Sequence, residues 1–201
     1  RMPVILRFDG RSFSSLTRKC EKPYDLKVAE VMNDTMLYLC ENIQNTVLGY
    51  VQSDEITLLL NNYKDARTQS WFDNNIQKMC SVGGGMASAY FTSQSHRIFG
   101  EMKIATFDCR AFVVPREDVN SIIYWRQLDC ERNGIQGLAR SLFSHKECSN
   151  KNMRLLKEMC AKAGHDWEEE PNAFRRGRCA VREFYPCFAP KTPPFRRGMQ
   201  A

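Results

Sequence analysis

The stretch VILRFDGRSF, from Val4 to Phe13, has the pattern of a buried strand that ends on an aspartate and a glycine. A second apolar run, TVLGYVQSDEITLLL from Thr46 to Leu60, is interrupted in a similar way by the polar tripeptide at residues 53 to 55. Apolar runs bounded by polar turn residues are typical of buried strands. The chain therefore carries carboxylates out of its predicted core at two places.

The composition predicts a folded protein with one substantial core. The chain has 201 residues, of which 43% are hydrophobic, so it can bury a core of ordinary size, and a disordered protein is excluded. The formal charge of +6 is concentrated late, in FRRGR (Phe174 to Arg178) and PFRRG (Pro194 to Gly198). This excess favours a polyanionic partner, although a solvated basic face explains it equally well.

The nine cysteines include no CxxC pair, their number is odd, and the chain has only three histidines. This pattern favours free thiols in a reducing compartment over a disulfide scaffold or a zinc site. No apolar stretch is long enough to cross a bilayer, and the first residues lack the apolar run of a signal peptide. We therefore expect a soluble cytoplasmic protein without a membrane partner.

The order of predicted elements is strand, helix, strand, strand, helix, strand. Asp25 is a favourable N-cap for a first helix. The apolar residues of this helix recur at steps of three and four: Leu26, Ala29, Met32, Met36, Leu39 and Ile43. Residues 47–51 and 56–60 predict a hairpin, residues 75–91 a second helix weakened by three consecutive glycines, and residues 105–114 a last strand. This is the order of the split βαβ, or ferredoxin-like, fold.

This order places two acids at one edge of the predicted sheet. Strands one and two run parallel through a right-handed crossover, and strand three lies antiparallel between them. Asp9 and Asp54 then share one rim, where two carboxylates need a cation, a proton or an arginine between them. Magnesium suits such oxygen ligands, and Gly10 can offer its carbonyl without an obstructing side chain. Two ions at such a rim serve phosphoryl transfer, whereas an ordinary turn and an ordinary hairpin tip explain the same residues without function.

Five motifs occur together over roughly residues 1 to 150. They are RFDGRSF (Arg7 to Phe13), EKPYD (Glu21 to Asp25), QSDE (Gln52 to Glu55), FDCRAF (Phe107 to Phe112) and YWRQLDC (Tyr124 to Cys130). In order and approximate spacing they resemble the tRNA-histidine guanylyltransferase family and its Thg1-like relatives. Each motif alone is weak, but all five in register are specific.

The resemblance implies an α+β protein with a palm-like nucleotidyltransferase core at residues 1–118. A mainly helical, basic C-terminal part at 119–201 continues this core. It implies the addition of nucleotides to the 5′ end of tRNA in the 3′-to-5′ direction after activation by ATP or GTP. Two Mg²⁺ ions are expected on Asp9, Asp54 and the Gly10 carbonyl, with Glu55 as a further catalytic acid. Relatives assemble as dimers of dimers, so a homotetramer is expected.

The resemblance also implies which residues contact the substrates. Those expected to bind the nucleotide are Arg7, Asp9, Gly10, Arg11, Ser12, Phe13, Ser14, Lys22, Ser53, Asp54 and Lys78. Arg7, Lys22 and Lys78 would meet the triphosphate. The family usually carries an arginine one turn before the last of these lysines, where this chain has Asn75, and both lysines are also compatible with an ordinary solvated surface. Apart from the resemblance, aromatic and arginine side chains suit single-stranded RNA, so the late residues Arg175, Arg176 and Arg178 are expected to contact RNA.

One departure from the family pattern bears on the substrate. Family members that recognise histidine tRNA carry His-Ile-Asn-Asn after the WRQ segment, whereas this chain has Glu-Arg-Asn-Gly at 131–134. This favours the Thg1-like branch, whose members typically repair truncated tRNA 5′ ends against a template. The alternatives are guanylylation of histidine tRNA and, more distantly, a palm-type nucleotide cyclase or a non-catalytic RNA-binding module.

Overall fold

The computed structural model of the protein describes residues 2–65 and 67–183. Its centre is a five-stranded sheet with strand order β4-β1-β3-β2-β5, in which all neighbouring strands are antiparallel. Because β3 pairs with both β1 and β2, the latter two run parallel to each other, which confirms the predicted α+β topology. The strands are β1 (Val4–Gly10), β2 (Thr46–Gln52), β3 (Glu55–Leu60), β4 (Phe107–Val113) and β5 (Arg178–Val181).

Eight α-helices flank the sheet within the described part of the chain. They are α1 (Phe13–Leu16), α2 (Leu26–Asn42), α3 (Ile76–Gln94), α4 (His96–Phe99), α5 (Val119–Leu142), α6 (His145–Cys148), α7 (Met153–Lys162) and α8 (Asn172–Arg176). Three 3₁₀ turns cover Trp71–Asn74, Arg116–Asp118 and Trp167–Glu169. The two predicted long helices correspond to α2 and α3.

Local chemistry explains where α2 and α3 begin. The Asp25 side chain accepts hydrogen bonds from the amides of Lys27 and Val28 and thus caps α2, as predicted. Asn75 caps α3 in the same way. The glycines inside α3 allow close packing on the sheet, because a side-chain carbon at Gly84 would stand 3.0 Å from the backbone oxygen of Phe107. The same close approach holds at Gly83, where a side-chain carbon would stand 3.0 Å from the Phe8 ring.

The two faces of the sheet differ in polarity. Residues Val4, Leu6 and Phe8 of β1 face α2 and α3 and enter the main hydrophobic core. The intervening residues face the other way. On that face, the antiparallel register aligns one polar row across four strands, composed of Asp108, Asp9, Glu55 and Gln52. Asp9 and Glu55 therefore belong to this polar row, and Asp54 lies in the turn between β2 and β3.

The C-terminal part builds a second, smaller core and then returns to the sheet. The small core joins α5, α7 and the last 3₁₀ turn through Ile135, Leu138, Ala139, Leu156, Cys160 and Trp167. The chain then forms β5, which pairs with β2 and was absent from the predicted order. The Tyr50 hydroxyl donates to the carbonyl of Arg176, and Gly177, at φ +76, lies against the Tyr50 ring. The C-terminal part is thus helical except for this one added strand, and the boundary at residue 118 stays a prediction.

Two further sequence expectations concern the cysteines and membrane spans. The eight cysteines in the described ranges are all free thiols, as predicted, while Cys187 and the PFRRG motif lie outside those ranges. No helix of residues 2–65 and 67–183 combines the length and the apolar character that a membrane span requires.

Candidate active site

Asp9 and Asp54 meet at one rim of the sheet. Asp9 pairs in register with Glu55, and the amide of Gly10 donates a hydrogen bond of 3.0 Å to the backbone carbonyl of Asp54. Ser53 turns the chain between β2 and β3 with a left-handed φ of 47°. The geometry predicted from the strand order is therefore present.

The rim is electronegative. Burial raises the pKa of Asp54, and the neighbouring charge of Asp9 raises it further. The Asp9 side chain is 38% exposed, and the guanidinium of Arg110 stands 3.9 Å from its carboxylate, too far for a close ion pair. Within residues 2–65 and 67–183, no group of three or more His, Cys, Asp or Glu side chains is arranged to hold a metal. The available donors are two carboxylates and backbone oxygens, which suit a hard divalent cation that keeps other positions for substrate oxygens.

Gly10 has a packing role that the sequence did not reveal. A side-chain carbon at this position would stand 2.4 Å from the Phe13 ring, so only glycine leaves room for that ring. Phe13 is buried and contacts the rings of Phe91 and Phe107 edge-on, with centroids 5.0 Å away. Glycine at position 10 thus lets the Phe13 ring pack beneath the rim. The sequence predicted only that this glycine would leave its own backbone carbonyl accessible.

The segment after Gly10 remains at the rim. The Arg11 amide donates to the carbonyl of Thr106, and Ser12 adopts a left-handed φ of 57° before α1 begins. Arg11, Ser12 and Ser14 are exposed. Their predicted contacts with a nucleotide are therefore sterically open.

A cavity of about 340 Å³ opens beside the rim. Its walls come from residues 13–25, the β2–β3 turn, α5 and α8, and they include Ser14, Lys22, Ser53 and Asp54. The Lys22 ammonium donates to the carbonyl of Thr17 at 3.3 Å and is otherwise exposed. This volume lies in the range of small-molecule sites. The structure thus brings the predicted triphosphate lysine, the turn serine and one of the paired aspartates to one cavity.

Aromatic stacking closes the far side of this cavity. The rings of Tyr24 and Phe174 stack with centroids 4.1 Å apart, and the Tyr24 hydroxyl donates to the carbonyl of Gly134 at 3.3 Å. Burial raises the pKa of Tyr24, so its hydroxyl stays neutral. The EKPYD motif therefore connects the cavity to α5 and α8.

Glu55 and Arg7 form an ion pair beside the rim. The Glu55 side chain is 7% exposed, and its two oxygens face two cations, Arg7 Nη2 at 2.8 Å and Arg126 Nε at 2.8 Å. Both side chains are therefore engaged with each other, and Glu55 also with Arg126. The catalytic role of Glu55 and the triphosphate contact of Arg7 stay predictions.

Lys78 lies away from the rim. Its helix, α3, begins beside the far end of β3, where Asn62 donates a hydrogen bond of 3.0 Å to Asn74. The rim is at the opposite end, where β3 starts. Within one chain, the structure does not bring Lys78 to Asp9 and Asp54, because the helix carries it to the other end of the sheet.

Comparisons with known proteins agree with this geometry. A family model described as tRNAHis guanylyltransferase, Thg1, matches residues 1–115. The chain belongs to this family. It is a family of nucleotidyltransferases, and four of the five motifs noted in the sequence fall within the match.

Individual relatives extend the similarity beyond residue 115. A curated tRNA(His) guanylyltransferase of Debaryomyces hansenii is 26% identical over 204 residues, which cover 90% of this chain and 74% of the relative. A bacterial Thg1-like protein solved with ATP superposes with a TM-score of 0.88 at 39% identity, covering 91% of this chain and 81% of the other. One solved with GTP has a TM-score of 0.80 at 38% identity, covering 93% and 78%. Three other curated relatives are longer, and the chain spans about half of their length.

The residues at the family's histidine-motif positions lie inside α5. Glu131 accepts a hydrogen bond of 2.8 Å from Lys157, and Arg132 pairs with Asp129. Asn133 lines the cavity, and Gly134 lies against Trp167, where a side-chain carbon would stand 2.5 Å from the indole. The first two side chains are thus engaged in intramolecular ion pairs, and the glycine is required by packing.

Two of the three late arginines have internal partners. Arg175 is ion-paired with Glu168, and Arg178 donates to the carbonyl of Ala29 at 3.2 Å. Arg176 is exposed. Of the three predicted RNA contacts, the structure leaves Arg176 open to a phosphate and commits the other two to the fold.

Arg126 and Arg110 are the site residues that sequence reasoning missed. They belong to the motifs YWRQLDC and FDCRAF, and the sequence alone assigns neither arginine a role. Arg126 is buried against Glu55, and Arg110 stands between Asp9 and Asp108. A buried arginine on a helix needs an acidic partner, which is the pattern that could have found Arg126.

Proposed function

We propose that this protein is a 3′-to-5′ nucleotidyltransferase that adds template-complementary nucleotides to the 5′ end of truncated tRNA. The observation that carries the proposal is the meeting of Asp9 and Asp54 beside a cavity of about 340 Å³ that Lys22 also lines. Family membership and the ATP and GTP bound by similar bacterial proteins support nucleoside triphosphates as the occupants.

Two transfers build the product. In the first, an oxygen of the RNA 5′-monophosphate attacks the α-phosphorus of ATP or GTP, and pyrophosphate leaves. In the second, the 3′-hydroxyl oxygen of the incoming nucleoside triphosphate attacks the 5′-phosphorus of the RNA, and the nucleoside monophosphate leaves. An RNA with a 5′-triphosphate omits the first step, because pyrophosphate is its leaving group.

The chain's own residues orient these reactants. Asp9, Asp54 and the Gly10 carbonyl would hold two Mg²⁺ ions, which neutralise phosphate charge when bound and favour loss of the hydroxyl proton. Lys22 supplies a preplaced positive charge to triphosphate oxygens at the cavity mouth. Ser14, Ser53 and the exposed Arg11 and Ser12 add donors around it.

Helix α5 bears on the choice of tRNA. Glu131 and Arg132 pair with Lys157 and Asp129 at the positions of the family's histidine motif, which supports a choice that does not depend on histidine identity. Selection then falls to pairing between the incoming nucleotide and the opposite strand of the acceptor stem. The second candidate is guanylylation of histidine tRNA, which the names of the curated relatives favour. A cytoplasmic location and a homotetramer complete the proposal.

The test is a 5′-end assay with magnesium, ATP and the four nucleoside triphosphates. The substrates are intact histidine tRNA and tRNAs of several amino-acid identities that lack their first nucleotide, the latter prepared with all four bases at the opposing position. We expect addition of the complementary base regardless of identity, and no extension once the stem is complete. Addition of guanosine to intact histidine tRNA alone would contradict repair and establish the second candidate.

A further inference from the structure

A buried ion pair joins α5 to the strand that follows the active-site turn. Arg126 and Glu55 have side chains that are 5% and 7% exposed, and Arg126 Nε lies 2.8 Å from Glu55 Oε1. Among residues 2–65 and 67–183, no other ion pair links α5 to strands β1 to β4. This contact is therefore the electrostatic connection between the helix and the polar face of the sheet.

Both partners are fixed from their other sides. Asp129 accepts a hydrogen bond of 2.5 Å from Arg126 Nη2, one helical turn further along α5. Arg7 holds the second oxygen of Glu55 at 2.8 Å. Buried charges that are paired in this way resist displacement, because moving one leaves the others unpaired in a medium of low polarity. Glu55 therefore has little freedom.

Glu55 stands where small displacements affect the active site. It is the first residue of β3, is bonded directly to Asp54 and pairs in register with Asp9. A shift of Glu55 would move Asp54 through the shared peptide. In enzymes, a misplacement of about 1 Å at reacting groups can cost about 100-fold in rate.

We propose that Arg126 is a positioning residue for nucleotidyl transfer, which holds Glu55 and thereby fixes Asp54 opposite Asp9. The inference rests on the proposed function of the Asp9 and Asp54 rim. It assigns Glu55 to the support of that rim, and it gives the YWRQLDC motif a role in catalysis exerted through another residue.

A kinetic cycle tests the assignment. The variants are Glu55→Gln, Arg126→Met and the two combined, with Arg154→Met as the control because Arg154 forms an exposed ion pair with Glu158 on α7. Each single variant should lower kcat by about 100-fold with little change in the KM for the nucleotide, since the cavity contacts remain. The double variant should be no slower than either single one, and the control should match wild type.

Two outcomes of the cycle would overturn the inference. Losses that multiply in the double variant would mean that Glu55 acts directly on the reactants or their metal ions. Recovery of wild-type kcat in the double variant, where neither charge is left unpaired, would mean that the pair serves stability alone. If Arg126→Met does not fold, Arg126→Lys and the double variant carry the test, and the lysine should restore part of kcat by keeping the charge.

Hydrogen exchange gives a readout that does not depend on activity. The hydrogen bond to the Asp54 carbonyl protects the Gly10 amide, so hydrogen exchange of this amide should accelerate in Arg126→Met. The control Arg154→Met should have the same midpoint of thermal unfolding as wild type. Unchanged Gly10 exchange in Arg126→Met and the double variant would refute positioning even with an active enzyme. Absence of nucleotide addition by wild type would instead refute the proposed function.

Discussion

The amide nitrogen of Gly10 donates a hydrogen bond of 3.0 Å to the backbone carbonyl of Asp54. This bond joins the end of β1 to the β2–β3 turn, so the carboxylates of Asp9 and Asp54 are held near each other. The charge that accumulates there is unfavourable for the isolated fold and favourable for binding cations.

Replacing Asp54 by asparagine should stabilise the protein at neutral pH while removing activity. Burial raises the pKa of Asp54, with a further rise from Asp9, so the folded state prefers the protonated acid. Wild type therefore loses stability as pH rises through the folded pKa, and the advantage of Asp54→Asn should grow over the same interval. Thermal unfolding of both proteins from about pH 4 to 8 measures this difference in stability. A variant less stable than wild type by the same amount at every pH would contradict this.

Replacing Gly10 by alanine should destabilise the protein by about 1–3 kcal/mol. The added carbon would stand 2.4 Å from the Phe13 ring, which is itself packed against Phe91 and Phe107. The combined Gly10→Ala and Phe13→Leu variant should recover part of the loss, because the smaller side chain leaves space. Denaturant unfolding checks both variants. If the combined variant instead loses the sum of the two single losses in stability, the Phe13 ring is not what Gly10 accommodates.

Lys22→Ala should slow the activation step more than the transfer step. Lys22 lines the cavity and is exposed there, and its positive charge would meet the triphosphate of the activating nucleotide. We expect a loss of about 10- to 100-fold with RNA carrying a 5′-monophosphate and a smaller loss with RNA carrying a 5′-triphosphate. Lys162→Ala, at the exposed end of α7, is the control. Equal losses on the two RNAs would argue against this role.

Lys157→Met should lower the free energy of unfolding by up to about 1 kcal/mol at neutral pH, the range of partly exposed ion pairs. The hydrogen bond from Lys157 lowers the pKa of Glu131, although partial burial opposes it. A lowered pKa means that the contribution is present above the unfolded pKa and is lost as pH falls through the folded one. Urea unfolding at neutral pH and at about pH 3 separates the two conditions. A loss of the same size at both pH values would assign the effect to the contact of Lys157 with the Trp167 ring, whose centroid lies 5.9 Å from Nζ.

The convergence of Asp9 and Asp54 could be predicted because it follows from the order of elements. A capped helix after the first strand and a tight hairpin after the second leave few ways to arrange the three strands. The Asp25 cap and the apolar spacing of α2 are local properties of the chain, so the amino-acid sequence alone is enough to identify them.

The partners of buried charges could not be predicted in the same way. Periodicity reports which face of an element is buried, but not which distant cation an acid such as Glu55 will meet. Arg126 reaches it only because α5 crosses the polar face, and Arg175 and Arg178 turn inward for similar reasons of tertiary packing. The four-residue strand β5 has too little pattern of its own and exists by pairing with β2.

The most direct test of a single nucleotidyl-transfer site compares 5′ addition by wild type, Asp9→Asn, Asp54→Asn and Glu158→Gln. The substrate is a tRNA that lacks its first nucleotide, supplied with magnesium and nucleoside triphosphates. Each rim variant should lose at least about 1,000-fold in rate with its fold intact, because one lost ligand disables the cation site, while the remote Glu158→Gln should match wild type. Full activity in either rim variant would contradict the assignment of Asp9 and Asp54 to the reaction.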